Sequence, residues 1–166
     1  MTITTFYLAI MIIGVMATLL IDLYSILLKH YFNIPSLDYK VVGRWLLYML
    51  KGQFMHASIL QSPALKREKA VGWASHYIIG CLFSGIFMLM VGQSWLFNPQ
   101  VIPALLFGIA TVSFPFLIMQ PCFGFGVAAS KLAKPQFARL KSLSTHALFG
   151  VGLYLCAYFL QIFYGK

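Results

Sequence analysis

Long apolar runs alternate along this chain with short stretches that collect nearly all of its charge. A bilayer core about 30 Å thick is crossed by roughly 20 apolar residues in helical form. Four segments meet that requirement. The first covers residues 6–28, with Asp22 as its one charged side chain. From Ala70 to Ser130 no Asp, Glu, Lys or Arg occurs. That stretch is too long for one crossing, and Gly92-Gln93-Ser94 with Asn98-Pro99 divides it into spans at 71–91 and 101–120. The fourth span covers residues 143–163. The pattern predicts an all-α integral membrane protein, a single domain over residues 1–166 with four transmembrane helices.

The loop at 29–69 has a pattern of its own. At helical pitch Lys40, Arg44 and Lys51 fall within about 40° of one another. Val41, Val42, Trp45, Leu46 and Met49 fill much of the remainder, and Leu47 interrupts the basic face. This predicts an interfacial helix on the cytoplasmic leaflet, with Lys40, Arg44 and Lys51 at the lipid headgroups. Ser62-Pro63 reads as an N-cap and first helical position, starting the second helix before its apolar part. Pro115 predicts a kink in the third span. The run Phe123-Gly124-Phe125-Gly126 is too glycine-rich for regular helix.

Composition agrees with lipid as the main solvent. Hydrophobic residues make up 61% of the chain and charged ones 9%, with a mean hydropathy of +0.86. A soluble domain carries about 25% charged residues. Twelve Lys and Arg against three acids give a formal charge of +9. In a soluble protein that excess would point to nucleic acid. Here the cations lie between apolar spans, so anionic lipid and topology account for them and nucleic acid is not expected. Lys29, Lys40, Arg44, Lys51, Lys66, Arg67 and Lys69 precede the second span, and Lys131, Lys134, Arg139 and Lys141 precede the fourth. The turn between the second and third spans has no basic side chain, and the ends offer only Lys166. Cationic loops stay in the cytoplasm, so both termini are expected outside it. Trp95, Phe97, Tyr158 and Tyr164 suit the outer interface. The first span lacks the basic leader and small-residue cleavage site of a signal peptide. Cys81, Cys122 and Cys156 have no metal-type spacing and read as packing residues.

A weak internal similarity suggests two parallel two-helix repeats. Ser75-His76-Tyr77-Ile78-Ile79-Gly80 resembles Thr145-His146-Ala147-Leu148-Phe149-Gly150, each at the inner end of a span. Gly14 to Thr18 resembles Gly108 to Thr111 with a one-residue gap. Short apolar matches also arise by chance.

Side chains four apart share a helix face. Gly14, Thr18 and Asp22 form one stripe, His76, Gly80 and Ser84 a second, and His146 with Gly150 a third. Small residues favour close approach of helices in lipid, so these stripes are expected to face the interior. Asp22 lies about 9 Å inside the inner end of its span. Asp22, His76 and His146, with Gln120, form the candidate polar layer. An ionisable side chain at membrane depth reads by default as functional. A purely structural role fits as well, with Asp22 paired to a histidine or accepting from Thr18, Ser25 or Tyr24. His56 reads as a solvated loop residue and Asp38 as a turn former. No HExxH, GxSxG, Walker or dinucleotide motif is present.

Three functions fit these residues. One is transport or permeation of a small solute or ion through Asp22, tuned by His76 and His146; so small a bundle favours a homo-oligomer. Another is a non-catalytic accessory or scaffold protein whose basic loop contacts anionic lipid or a partner. The third is a membrane enzyme or cofactor protein, with a metal at Asp22, His76 and His146, or haem ligated axially by the two histidines with Gly80 and Gly150 clearing space; the cofactor is not identified.

Several short motifs carry a resemblance. These are Ile34-Pro35-Ser36-Leu37-Asp38-Tyr39, Gly43-Arg44-Trp45, and Gly72-Trp73 with His76-Tyr77. Met119-Gln120-Pro121, Ala128-Ala129-Ser130, Ala138-Arg139-Leu140-Lys141-Ser142 and His146 with Gly150 continue it. Together they resemble the small bacterial membrane proteins grouped as domain of unknown function 2938, over nearly the whole chain. The resemblance implies a bacterial inner-membrane location and brings no activity or catalytic residue with it.

Overall fold

The computed structural model describes residues 2–35 and 38–164, with side chains in the last helix described to 162. The predicted contributions of Ser36, Leu37, Lys166 and the Tyr164 side chain lie outside the described residues. Within them the protein is all-helical, with five helices: α1 Ile3–Phe32, α2 Tyr39–Met49, α3 Glu68–Val91, α4 Val101–Cys122 and α5 Pro135–Tyr164. All but α2 are long and apolar enough to cross a membrane. They contain the four spans read from hydropathy.

The helix ends follow local chemistry. Thr2 caps α1 by accepting from the Thr5 amide, and Asn33, in left-handed backbone (φ 53°), ends it. Asp38 caps α2 by accepting from Lys40 N–H. This agrees with its reading as a turn former. The α3 start differs from expectation. Ser62-Pro63 does not begin it; the helix begins at Glu68, after Arg67 takes left-handed backbone (φ 68°). Ser62 instead turns its hydroxyl to Ser58 C=O (3.3 Å) and to His56 Nδ1 (3.0 Å). Glu68, the first helical residue, accepts from Leu65 N–H (2.9 Å) and so fixes the turn that leads into the helix.

In α4 the regular coil stops at Ala110, before a turn at Thr111–Val112, and residues 115–119 wind as a wider π turn. Pro115 explains the position, because it brings no N–H for the carbonyl four residues earlier. The glycine-rich run after it is irregular, with Gly124 (φ 84°) and Gly126 (φ 74°) in backbone that favours glycine. α5 begins eight residues before the apolar span, with Pro135 in its first position and Arg139 and Lys141 inside the helix.

The chain divides into two compact units. The first is Met1–Ser36, Tyr77–Thr111 and Thr145–Lys166. Its core joins Ile13, Ala17, Phe87, Met88, Ala104, Phe149 and Leu153. Its helices meet at glycines: a Cβ on Gly14 would press on the Cys81 backbone, and one on Gly108 on the Gly150 backbone. The predicted small-residue stripes do face inward here, with Gly14, Thr18, Gly80, Ser84 and Gly150 buried. The second unit is Leu37–His76 and Val112–Ser144, with Val41, Val42, Ile59 and Phe123 at its centre. There α2 crosses the first turns of α3 where Gly43 faces the backbone of Glu68 and Gly72.

Candidate functional site

The predicted polar residues have distinct partners. In the first unit, α1 carries Asp22 and α3 carries Tyr77 fifty-five positions later, whose hydroxyl donates to Asp22 Oδ2 (2.7 Å). Asp22 is half-buried. A carboxyl in an apolar span is thereby given a hydrogen-bond donor from a neighbouring helix. His146 on α5 lies 2.7 Å from Thr111 Oγ1 through Nδ1. The Thr111 hydroxyl also donates to Gly108 C=O (2.6 Å). Thr111 thus links the α5 imidazole to the α4 backbone through one hydroxyl. Thr18 donates to Gly14 C=O (2.7 Å) and Ser84 to Ile10 C=O (2.9 Å). These hydroxyls satisfy themselves on helix backbone.

The other two members of the predicted layer belong to the second unit. The His76 ring stacks on Tyr39 of α2, with centroids 4.1 Å apart and planes 25° from parallel. Gln120 is buried, and its Oε1 has no hydrogen-bond partner among the described residues. No group of three or more His, Cys, Asp or Glu among the described residues is placed to hold a metal ion. The metal candidates Asp22, His76 and His146 are each held by Tyr77, Tyr39 and Thr111 respectively.

Arg44 corrects the sequence reading. It does not stand with Lys40 and Lys51 as a headgroup cation, but is buried and ion-paired. Its Nε donates to Glu68 Oε2 (2.8 Å) and its Nη2 to Glu68 Oε1 (2.9 Å). Nη1 donates to Ser62 C=O (2.8 Å) and Ile59 C=O (3.3 Å). The planar fork of guanidinium suits this two-point grip on a carboxylate. Gly43 beside it lets α2 approach the α3 backbone, bringing Arg44 within reach of Glu68. Hydrogen bonding to Glu68 raises the Arg44 pKa above its ordinary value. Lys40 is exposed and pairs with Asp38 (3.0 Å), and Lys51 is exposed beside the Tyr48 ring.

His56 also departs from expectation. It is buried rather than solvated, and its Nε2 has no hydrogen-bond partner among the described residues. Its Nδ1 meets Ser62 Oγ, and its backbone N–H donates to Cys122 C=O (2.9 Å). Burial pushes its pKa below the ordinary histidine value. Glu68, Arg44, Ser62 and His56 thus form one connected polar cluster. Sequence reasoning passed over Glu68 entirely. Its signal was available: it is the one glutamate in the chain and sits inside Lys66-Arg67-Glu68-Lys69. An acid set in a basic run is well placed to neutralise a cation that folding buries.

No curated protein and no solved structure matches this chain. The family described as protein of unknown function DUF2938 matches residues 11–160. The second unit, most of the first, and the residues of both polar groupings fall within that match, and the chain belongs to the DUF2938 family.

Proposed function

We propose that this protein moves a small solute or ion across a bacterial inner membrane, with Asp22 as the group that takes up and releases a proton or cation. The observation that supports this reading is the Asp22–Tyr77 hydrogen bond within the apolar α1 and α3. An ionisable side chain there is expensive to keep and marks ion or proton pathways. Tyr77 gives the Asp22 carboxyl a hydrogen-bond donor contributed by a second membrane-spanning helix. His146, held by Thr111, is the second ionisable side chain of the same unit considered for the pathway. A bundle this small favours a homo-oligomer around the pathway. In this reading both basic segments face the cytoplasm and both termini the opposite side.

The test is flux into proteoliposomes under an imposed pH gradient, with a panel of small cations and neutral solutes. Asp22→Asn removes the exchangeable charge and is expected to abolish flux. Tyr77→Phe keeps the carboxyl and removes its hydrogen-bond donor, and is expected to alter flux without abolishing it. Parent-level flux in Asp22→Asn would overturn the role of Asp22.

A second reading, that of an accessory or scaffold protein, is favoured by the built form of the second unit. Its exposed Lys40 and Lys51 flank a segment pinned by Arg44. Replacing both lysines with Gln is expected to reduce binding to anionic vesicles if those cations hold lipid.

A further inference from the structure

The segment that follows α2 is fixed in place yet turns apolar side chains outward. Lys51 N–H and Gln53 N–H both donate to Tyr48 C=O (2.9 and 3.0 Å). Trp45 Nε1 donates to Phe54 C=O (2.8 Å), and Tyr48 Oη to Pro63 C=O (3.0 Å). Further along, His56 N–H and Ile59 N–H donate to the carbonyls of Cys122 and Phe123 (2.9 and 3.0 Å). Ile59 is fully buried by this arrangement. The same fixed backbone leaves Leu50 84%, Phe54 54%, Met55 67% and Leu60 61% exposed.

Loops facing water are normally polar, and a cluster of exposed apolar side chains marks an interaction surface. The charge around this one is of a single sign. Lys51 lies within the segment, and Lys66, Arg67 and Lys69 follow it, all exposed. Glu68, the acid among them, is already spent on Arg44. Apolar side chains bracketed by exposed cations are the pattern of a surface that enters the headgroup and acyl boundary of an anionic leaflet. The chain itself leads from this segment into α3, a membrane span.

We infer that residues 50–60 form a membrane-inserted loop, with Leu50, Phe54, Met55 and Leu60 in the acyl boundary and Lys51 at anionic headgroups. The interfacial role expected of the basic face of α2 belongs instead to the loop after it, and Arg44 serves as the internal pin that fixes the loop. Four such side chains moved together from water into the acyl boundary give the loop its anchor.

The test uses the full chain in vesicles of phosphatidylcholine with a minority of phosphatidylglycerol. A Phe54→Trp variant is compared with the parent, so that the native tryptophans subtract. Insertion predicts that the added emission is blue-shifted, loses most of its intensity to brominated acyl chains, and resists aqueous iodide. Quenching by iodide without quenching by brominated lipid would overturn the inference. A blue-shifted emission that neither quencher reaches would also overturn it, in favour of a protein contact such as a second copy. Leu50→Trp supplies the same readout at the most exposed position, should the circular dichroism of Phe54→Trp depart from that of the parent.

Discussion

Arg44 commits all three of its side-chain nitrogens to protein acceptors, and Glu68 commits both carboxylate oxygens. Both side chains are about nine-tenths buried. Removing one member strands the other's charge, at a cost of about 3–5 kcal/mol. Arg44→Met is therefore expected to lower the thermal midpoint strongly, as followed by tryptophan fluorescence in detergent. Arg44→Met with Glu68→Met is expected to recover most of the loss, because no buried charge remains. A double variant as unstable as the single would mean that the carbonyl contacts of Ser62 and Ile59 dominate. His56 offers a pH test in the same unit. Burial holds its folded pKa below the ordinary value near 6.5. Below that value the unfolded chain binds a proton that the folded chain refuses, so stability declines as pH falls. The contribution is complete above about pH 7 and is lost progressively as pH drops toward the depressed pKa. His56→Phe is expected to flatten that part of the stability profile, measured by denaturation at a series of pH values.

Helices in this protein meet through glycine pairs, and the consequences are specific to each crossing. Gly108 and Gly150 stand backbone to backbone, so a methyl on Gly108 would overlap the Gly150 main chain. Gly108→Ala is expected to destabilise by about 1–3 kcal/mol through forced separation. Gly85, in α3, has only the Ile10 methyl in ordinary contact at 3.8 Å. Gly85→Ala is therefore expected to be neutral or to stabilise by up to about 1 kcal/mol, through helix propensity. Equal losses in both variants, on the same denaturation assay, would refute the crossing geometry as the cause. The spans were legible because hydropathy over 20 residues depends on lipid alone and not on partners. The inward stripes were legible because small residues at four-residue spacing have one obvious use in a membrane. The burial of Arg44 was not, since helical pitch groups side chains by angle without naming the neighbour that faces them. That neighbour, Glu68, lies twenty-four positions away, across a segment whose path depends on side-chain bonds to carbonyls. The same bonds explain why Ser62-Pro63, a sound capping signal locally, starts no helix: Ser62 is already engaged with His56 and Ser58.

For the molecule in its membrane, the placement of charge decides orientation, and the Arg44–Glu68 pair alters the count. Arg44 is neutralised inside the second unit, so it adds little to the positive-inside bias. Lys29, Lys40, Lys51, Lys66, Arg67 and Lys69 remain in the first basic segment, and Lys131, Lys134 and Lys141 in the second, with Arg139 donating to Ala128 C=O (2.8 Å). The turn at 92–100 between α3 and α4 has no charge to oppose them. By the positive-inside rule, a bias this one-sided is expected to survive the loss of either segment alone. A C-terminal alkaline phosphatase fusion in a bacterial host is accordingly expected to be active, and a C-terminal green fluorescent protein fusion dark. Replacing Lys131, Lys134 and Lys141 with Gln is expected to leave both readouts unchanged. Replacing the first segment's exposed lysines and Arg67 as well removes the bias and is expected to yield mixed populations. A fluorescent fusion on the unaltered chain would place the C-terminus in the cytoplasm. It would also require the two basic segments to have been translocated against the rule, which would make the Arg44–Glu68 cluster an external feature.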